Sequence, residues 1–178
     1  MTHRSLELYG NNTKPTLLFY ITLGMMTKLP LIGPIVRKIA EWYGENKHGA
    51  YVLTKEEALK IAEKSSSIAV GKCACRKTFE NCGNPLETDL VFGIGFDVFR
   101  EISPDEYREI GTREAKRIIS ECSDVGLVQA VMECEGDLYA MCNCCTCCCV
   151  PLRLFRDYGI ETAWKEKPDD LIERISDA

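Results

Sequence analysis

Cysteine is the residue type in this chain most able to do chemistry, and it is concentrated in one place. Six of the eleven cysteines stand within eight residues, Cys142-Asn143-Cys144-Cys145-Thr146-Cys147-Cys148-Cys149. Thiols this close cannot all form unstrained disulfides, because a disulfide requires particular Cα separations and directions. Left free, they would be open to oxidation. The run therefore predicts a thiophilic metal centre that takes these cysteines as thiolates.

An earlier group of cysteines adds to the candidate ligands. The earlier group and the late run together hold nine cysteines: Cys73, Cys75, Cys82, Cys142, Cys144, Cys145, Cys147, Cys148 and Cys149. Nested Cys-x-x-Cys pairs in the late run allow successive sulfurs to converge on one metal or one cluster face. Adjacent cysteines point in different directions, so the run could serve two clusters, one on each side.

Several kinds of thiolate site are consistent with this number of cysteines. A 4Fe–4S cluster takes four cysteine thiolates, so the set fits two cubanes, or one cubane with an unusual cluster or a reactive thiol. Two zinc sites also fit, although structural zinc sites usually use two well-separated Cys-x-x-Cys pairs. A structural knot should spread its cysteines along the chain. The two histidines, His3 and His48, are distant from the cysteines in sequence, which argues against a mixed Cys/His site.

The composition limits the class of protein. A chain of 178 residues suits one domain, or one domain with an appendage, and can bury a core without disulfides. The formal net charge of −5 argues against a nucleic-acid partner, which usually requires a basic face. Nothing resembles a cleavable signal peptide. We therefore expect a cytoplasmic protein, in which clustered cysteines indicate metal or redox chemistry.

Two predicted strands lead into the cysteine groups. Thr54 and Glu57 form a capping box for a helix from Lys55 to about Lys64, and the buried strand Ile68–Val70 then delivers the chain to Cys73. Later, the alternating stretch 127–134 and the segment 138–141 predict a hairpin that runs into the late cysteines. If these strands lie side by side, residues 73–82 and 142–149 meet.

The segments between the cysteine groups are predicted to be mostly helical. The stretch from Leu86 to Ile102 has a helical apolar strip, and its glycines at 93 and 95 would let another backbone or a cluster approach closely. A helix from Arg113 places Cys122 on its core face, and Cys134 is also interpreted as core. The order helix–hairpin resembles half of a winged helix. We predict an α+β fold, mostly helical, with a small sheet or hairpin leading into the metal site.

The N-terminal region is strongly apolar. We predict a buried helix from Pro15 to about Met26, a proline-directed turn, and a helix from Pro34 to about Tyr43 with an apolar stripe. Interruptions by Lys28, prolines and glycines argue against a membrane span, and a peripheral membrane contact or a partner surface is the alternative to burial. The predicted domains are an appendage, residues 1–49, and a metal-binding domain, residues 50–178, whose C-terminal tail docks on the domain.

These motifs resemble a family of bacterial and archaeal ferredoxin-like 4Fe–4S-binding proteins. The resemblance covers Thr54 to Gly159 and rests on the pair Cys73-Ala74-Cys75-Arg76 and Cys142-Asn143-Cys144-Cys145-Thr146-Cys147-Cys148-Cys149. It implies iron–sulfur binding and a redox role. The C-terminal ferredoxin module with repeated Cys-x-x-Cys pairs that such proteins often carry is not in this sequence. Similar sequences have cysteine where this chain has Asp89, which suggests Asp89 as a weak fourth ligand beside Cys73, Cys75 and Cys82. The alternative is a surface helix carboxylate.

The sequence thus predicts an iron–sulfur protein with one or two 4Fe–4S clusters that transfers electrons as a partner or subunit of a larger redox enzyme. The redox partner would dock through residues 17–36 and the C-terminal tail. Basic residues close to the cysteines could offset the charge of a thiolate cluster and raise its potential: Arg76, Lys77, Arg153 and Arg156. The alternatives are an enzyme that binds a small sulfur compound at an open iron near Asp89 or at a spare thiolate, and a structural zinc protein.

Overall fold

A computed structural model describes residues 4–177. Within these residues the protein has eight α-helices and one six-stranded sheet. The helices are α1 (Arg4–Asn11), α2 (Thr13–Met26), α3 (Gly33–Asn46), α4 (Lys55–Lys64), α5 (Ala74–Phe79), α6 (Ile94–Ile102), α7 (Thr112–Asp124) and α8 (Val150–Tyr158). The strands are β1 (His48–Leu53), β2 (Ile68–Lys72), β3 (Glu87–Phe92), β4 (Tyr107–Ile110), β5 (Val128–Cys134) and β6 (Asp137–Cys144). The predicted α+β class is confirmed.

The sheet forms the centre of the fold and is covered on both faces. Its strand order is β1-β5-β6-β3-β2-β4, and each neighbouring pair is antiparallel. Successive residues of a strand point to opposite faces. Ile68 and Val70 accordingly pack with α4 and α7, whereas Ala69 and Val91 pack on the other face with α1 and α6. Burial on both faces explains why the strand at residues 68–70 is a continuous apolar run in the sequence.

The sheet topology brings the two cysteine groups together without making their strands neighbours. Strand β3 lies between β2 and β6 and is antiparallel to both. As a result β2 and β6 run in the same direction, and their carboxyl ends, Lys72 and Cys144, lie at the same edge of the sheet. The predicted hairpin is confirmed as β5 and β6. Its turn residues Glu135 and Gly136 have φ of 52° and 98°, the left-handed backbone of a two-residue hairpin turn.

The prediction of one helix from Leu86 to Ile102 is wrong, because the stretch forms β3 followed by α6. Gly93 has φ 51° and ψ −129°, a conformation that glycine adopts easily and that separates the two elements. The close approach predicted for Gly95 is confirmed, since a Cβ there would clash with the carbonyl oxygen of Tyr139. Asp89 therefore lies on a central strand and not on a surface helix.

The N-terminal helices are less buried than the sequence suggested. Helix α2 buries Leu17, Ile21 and Gly24, but several of its large apolar side chains are exposed. In α3, Pro34 lies in the first turn as predicted, and the helix continues past Tyr43 to Asn46. The apolar stripe of α3 faces solvent rather than the core. The domain boundary at residue 49 stays a prediction.

The C-terminal tail packs against the protein's own core, as predicted. Leu171 and Ile175 are almost completely buried in the cluster that also contains α4 residues such as Ile61. Within residues 4–177, no helix is long and apolar enough to cross a membrane.

Candidate metal centre

Four cysteines converge at the edge of the sheet, and we call them the outer group: Cys82, Cys145, Cys147 and Cys148. Their sulfur atoms all lie within 4.8 Å of one another. The Sγ of Cys82 is 3.8 Å from that of Cys145 and 3.8 Å from that of Cys148, and Cys147 and Cys148 are separated by 3.9 Å. Thiolates about 2.3 Å from one tetrahedral ion would be about 3.8 Å apart. The outer group can therefore hold a metal ion.

Two separate segments form the outer group. The late cysteines stand in the turn between β6 and α8, where the amide of Cys149 donates to the carbonyl of Cys145 at 3.2 Å. Cys82 follows α5, which ends where Glu80 adopts φ 51°. The Asn81 side chain donates to the carbonyl of Cys147 at 3.1 Å and thereby ties the two segments together.

The remaining five candidate cysteines form a second cluster, the inner group, deeper in the protein: Cys73, Cys75, Cys142, Cys144 and Cys149. Hydrogen bonds from Cys144 and Cys75 hold the pKa of Cys149 well below its ordinary value. Cys142 in turn contacts Cys144, and Cys73 lies close enough to interact electrostatically with Cys142. The amide of Val150 donates to the Cys75 sulfur at 3.4 Å. The late run is thus divided, with three cysteines in each group.

Asp89 belongs with the inner group and not with Cys82. Its Oδ1 accepts from the Cys142 thiol at 3.5 Å, and its Oδ2 accepts from the Tyr107 hydroxyl at 2.8 Å. Burial raises the pKa of Asp89 above its ordinary value, and hydrogen bonds from Tyr107 and Cys142 oppose that shift. The carboxyl group thus lies beside the inner thiols, although among residues 4–177 only the four sulfurs of the outer group all lie within 4.8 Å of one another. Sequence reasoning did not identify Tyr107, which follows no motif.

A cavity of about 990 Å³ is lined both by residues of the inner group and by the N-terminal helices. Asp89 and Cys142 line it together with Leu17 and Tyr20 of α2 and Tyr43 of α3. The hydroxyls of Tyr20 and Tyr43 are 2.9 Å apart and hydrogen-bonded. The size and the largely apolar lining are those of a small-molecule pocket.

Arg76 is a fully buried cation between the two groups, with only 3 % of its surface exposed. Its guanidinium donates to the carbonyl of Asn143 at 2.9 Å and to the Thr88 hydroxyl, and its Nε has no hydrogen-bond partner within residues 4–177. In this part of the chain it forms no ion pair with a carboxylate. Burial would lower the pKa of Arg76, but the neighbouring Cys73 and Cys145 outweigh it and raise the pKa.

The other basic residues near the cysteines have different surroundings. Lys77 pairs with Glu106 at 2.6 Å, and Arg156 pairs with Asp157 at 2.6 Å. Arg153 lies over the ring of Phe79, 4.9 Å from its centroid. Arg76 is therefore the basic residue most directly placed to offset charge on both groups.

The cysteines outside the two groups are core residues, as predicted. Cys122 and Cys134 are buried, and burial raises the pKa of each to about 11. His48 is distant from the cysteines in sequence, yet its Nε2 is 3.8 Å from the Cys134 sulfur because β1 pairs with β5. His3 lies outside the described residues.

Cys82 is expected to be the most reactive thiol of the outer group in metal-free protein. The backbone amide of Asn84 donates to the Cys82 sulfur, and so does its side chain, at 3.3 Å. These hydrogen bonds help to lower the pKa of Cys82 to about 6. Burial instead raises the pKa of Cys147 to about 12. Because the shift is downward, the Cys82 thiolate stabilises the fold at high pH, and this contribution is lost as pH falls through about 6. Alkylation of metal-free protein, followed by mass spectrometry, should show a midpoint near pH 6 at Cys82. In Asn84→Ala the midpoint should rise, and an ordinary thiol midpoint in the unaltered chain would contradict the assignment.

No protein-family model, curated protein or solved structure matches the chain. The fold and the site by themselves define an α+β protein with a group of four cysteines at one edge of its sheet that could hold a metal ion.

Proposed function

We propose that this chain is an iron–sulfur protein that transfers electrons. The observation that carries the proposal is Arg76, a buried cation beside the thiols of Cys73 and Cys145 that forms no ion pair with a carboxylate within residues 4–177. A buried charge is costly unless an opposite charge accompanies it. Cysteines that bind metal are thiolates, so a metal centre in either group would supply the negative charge that Arg76 lacks.

The donor set supports iron within this proposal. Nine cysteines meet in two adjacent groups, and cysteine thiolates are the ligands that iron–sulfur clusters use. The outer group is the first candidate for a 4Fe–4S cluster, and the inner group with Asp89 is the second. The resemblance to ferredoxin-like cluster-binding proteins agrees with this choice over zinc.

Electron transfer fits the position of the outer group. Cys82 and Cys147 are only half-buried, so a redox partner could approach a centre there closely. The inner group lies behind it, and the late run supplies ligands to both. Two centres joined in this way would conduct electrons between the surface and the interior.

A structural zinc protein is the second candidate, and the sulfur separations of the outer group favour it. Separations of 3.8 Å suit one tetrahedral ion, whereas a four-iron cubane is larger and holds its thiolates farther apart. To accept a cubane, all four sulfurs would have to move apart, including those of Cys147 and Cys148, which are now separated by 3.9 Å.

Metal analysis of anaerobically purified protein tests the proposal. We expect iron with matching acid-labile sulfide, about four irons for each occupied group. Cys145→Ala should remove the metal of the outer group, because it deletes a buried ligand. Cys122→Ala, a buried cysteine outside both groups, should keep the full metal content. Zinc without sulfide would overturn the redox function and establish the structural one.

An enzyme is a further candidate, which the cavity beside Asp89 and Cys142 favours. A small molecule in this cavity would reach the inner thiols and the carboxyl group directly. The candidate enzyme would bind a small sulfur compound there, whereas an electron carrier has no need of the cavity.

A further inference from the structure

The outer face of α2, the following turn and α3 is a continuous apolar surface, which we call the apolar hairpin (residues 13–46). Leu31 at the turn is 88 % exposed, and Ile35 and Ile39 on α3 are each 61 % exposed. The exposed large apolar side chains of this segment are Leu18, Phe19, Met25, Leu29, Leu31, Ile32, Ile35, Ile39 and Trp42. So many apolar side chains on one contiguous segment indicate an interaction surface.

The inner face of the apolar hairpin is fixed to the rest of the protein. Gly24 packs so closely on Leu154 and Tyr158 of α8 that a Cβ would clash with them. Arg37 donates to the carbonyl of Gly159 at 2.7 Å, and Thr162 donates to that of Glu41 at 2.9 Å. The segment is thus docked on the rest of the protein while these apolar side chains stay exposed, and Phe19 and Ile39 also line the cavity.

Most charges of the apolar hairpin are positive. It contains the cations Lys14, Lys28, Arg37 and Lys38 and the acidic residues Glu41 and Glu45, although the chain has a net charge of −5. Lys14, Lys28, Lys38 and Glu45 are exposed, whereas Arg37 and Glu41 are half-buried. Lys38 shares a helical face with Ile35, Ile39 and Trp42. A basic, apolar helical face that carries tryptophan is typical of segments that lie in a membrane interface.

We propose that the apolar hairpin docks this protein on the surface of an anionic lipid bilayer. Helices α2 and α3 have 14 residues each, so each is about 21 Å long, too short to span a hydrocarbon core of about 30 Å. They lie in the interface, with Leu31 and the stripe of α3 among the acyl chains and the lysines near the headgroups. Lipid fits this surface better than a protein partner because its exposed charges are mainly cationic: Lys14, Lys28 and Lys38 against the single exposed Glu45. The proposal does not depend on which metal is bound.

Co-sedimentation of the metal-loaded full chain with vesicles tests this docking. We expect binding to phosphatidylcholine vesicles that contain phosphatidylglycerol, weaker binding to phosphatidylcholine alone, and weaker binding as salt is raised. Leu31→Glu and Ile35→Glu should each lower the affinity at least tenfold, since each removes a buried apolar contact. Val125→Glu is the matched control, because Val125 is 57 % exposed but lies after α7, outside the apolar hairpin.

Three results would overturn the proposal. The first is that the unaltered chain does not bind anionic vesicles. The second is that Val125→Glu weakens binding as much as Leu31→Glu. The third is that vesicle binding is absent and sedimentation without lipid shows a dimer, which the substitution Leu31→Glu dissociates. This result would assign the apolar hairpin to an interface between two copies of this chain.

Discussion

Arg76→Met should destabilise the metal-loaded protein far more than the metal-free protein. In the loaded state Arg76 stands between thiolate centres, and removing one partner of a buried charge pair costs about 3–5 kcal/mol. In the metal-free state Cys73 is neutral, since burial raises its pKa to about 12, and Cys149, whose pKa is lowered, supplies negative charge near Arg76. Arg76 then has less negative charge to offset than in the loaded state, and its loss costs mainly the hydrogen bonds to Asn143 and Thr88.

Chemical denaturation of both states, with metal release to a chelator as a second measurement, separates these contributions. Arg76→Lys is the informative companion, because it keeps the charge but cannot donate to Asn143 and Thr88 in the same planar geometry. We expect it to retain metal better than Arg76→Met. Equal losses of stability in the loaded and metal-free states would show that Arg76 acts only as a packing and hydrogen-bonding residue.

The sequence was sufficient to predict the strands that lead to the cysteines, because their signals are local. The apolar run at residues 68–70 and the alternation before Cys142 are direct consequences of burial on a sheet. The capping box at Thr54 is present, with Glu57 donating its amide to the Thr54 hydroxyl at 3.2 Å. Such features depend on neighbours within a few residues.

The division of the late cysteines between two groups could not be predicted in the same way. Cys144 ends a strand and Cys145 begins a turn, so adjacent residues point to different groups. The path of residues 73–82 decides which of the late thiols lie near Cys82 and which lie near Cys75. That path is fixed by contacts between segments distant in sequence, such as the hydrogen bond from Asn81 to Cys147. The strands that lead to the two cysteine groups, β2 and β6, are not neighbours, because β3 lies between them. The apolar residues of β3 and the following segment are spaced as in a helix, so the sequence did not indicate a strand there.

The exposed stripe of α3 shows a different limit of sequence reasoning. An amphipathic pattern states that one face of a helix is apolar, but not what covers that face. Ile35, Ile39 and Trp42 satisfy the pattern of a core-facing helix and yet point to solvent. The excess of exposed lysines on this segment, Lys14, Lys28 and Lys38 against Glu45, is the part of the pattern that favours the proposed membrane contact.

Asp89→Cys is expected to strengthen metal binding at the inner group. The substitution places a soft thiolate where a harder carboxylate now lies 3.5 Å from the Cys142 sulfur, and iron–sulfur centres prefer thiolate ligands. Release of inner-group metal to a chelator should slow by roughly tenfold or more. Asp89→Asn is the control, because it removes the charge but keeps an oxygen that can accept from Tyr107.

The same variant separates an electron carrier from an enzyme. A carrier with Asp89→Cys should transfer electrons at least as well as the unaltered protein, since its centre gains a ligand. An enzyme should lose activity, because the new thiolate would occupy the position that opens toward the cavity of about 990 Å³. Faster metal release from Asp89→Cys than from Asp89→Asn would show that Asp89 is not a ligand position. Its carboxyl group would then act through the hydrogen bond from Tyr107, which joins β3 to β4 across β2.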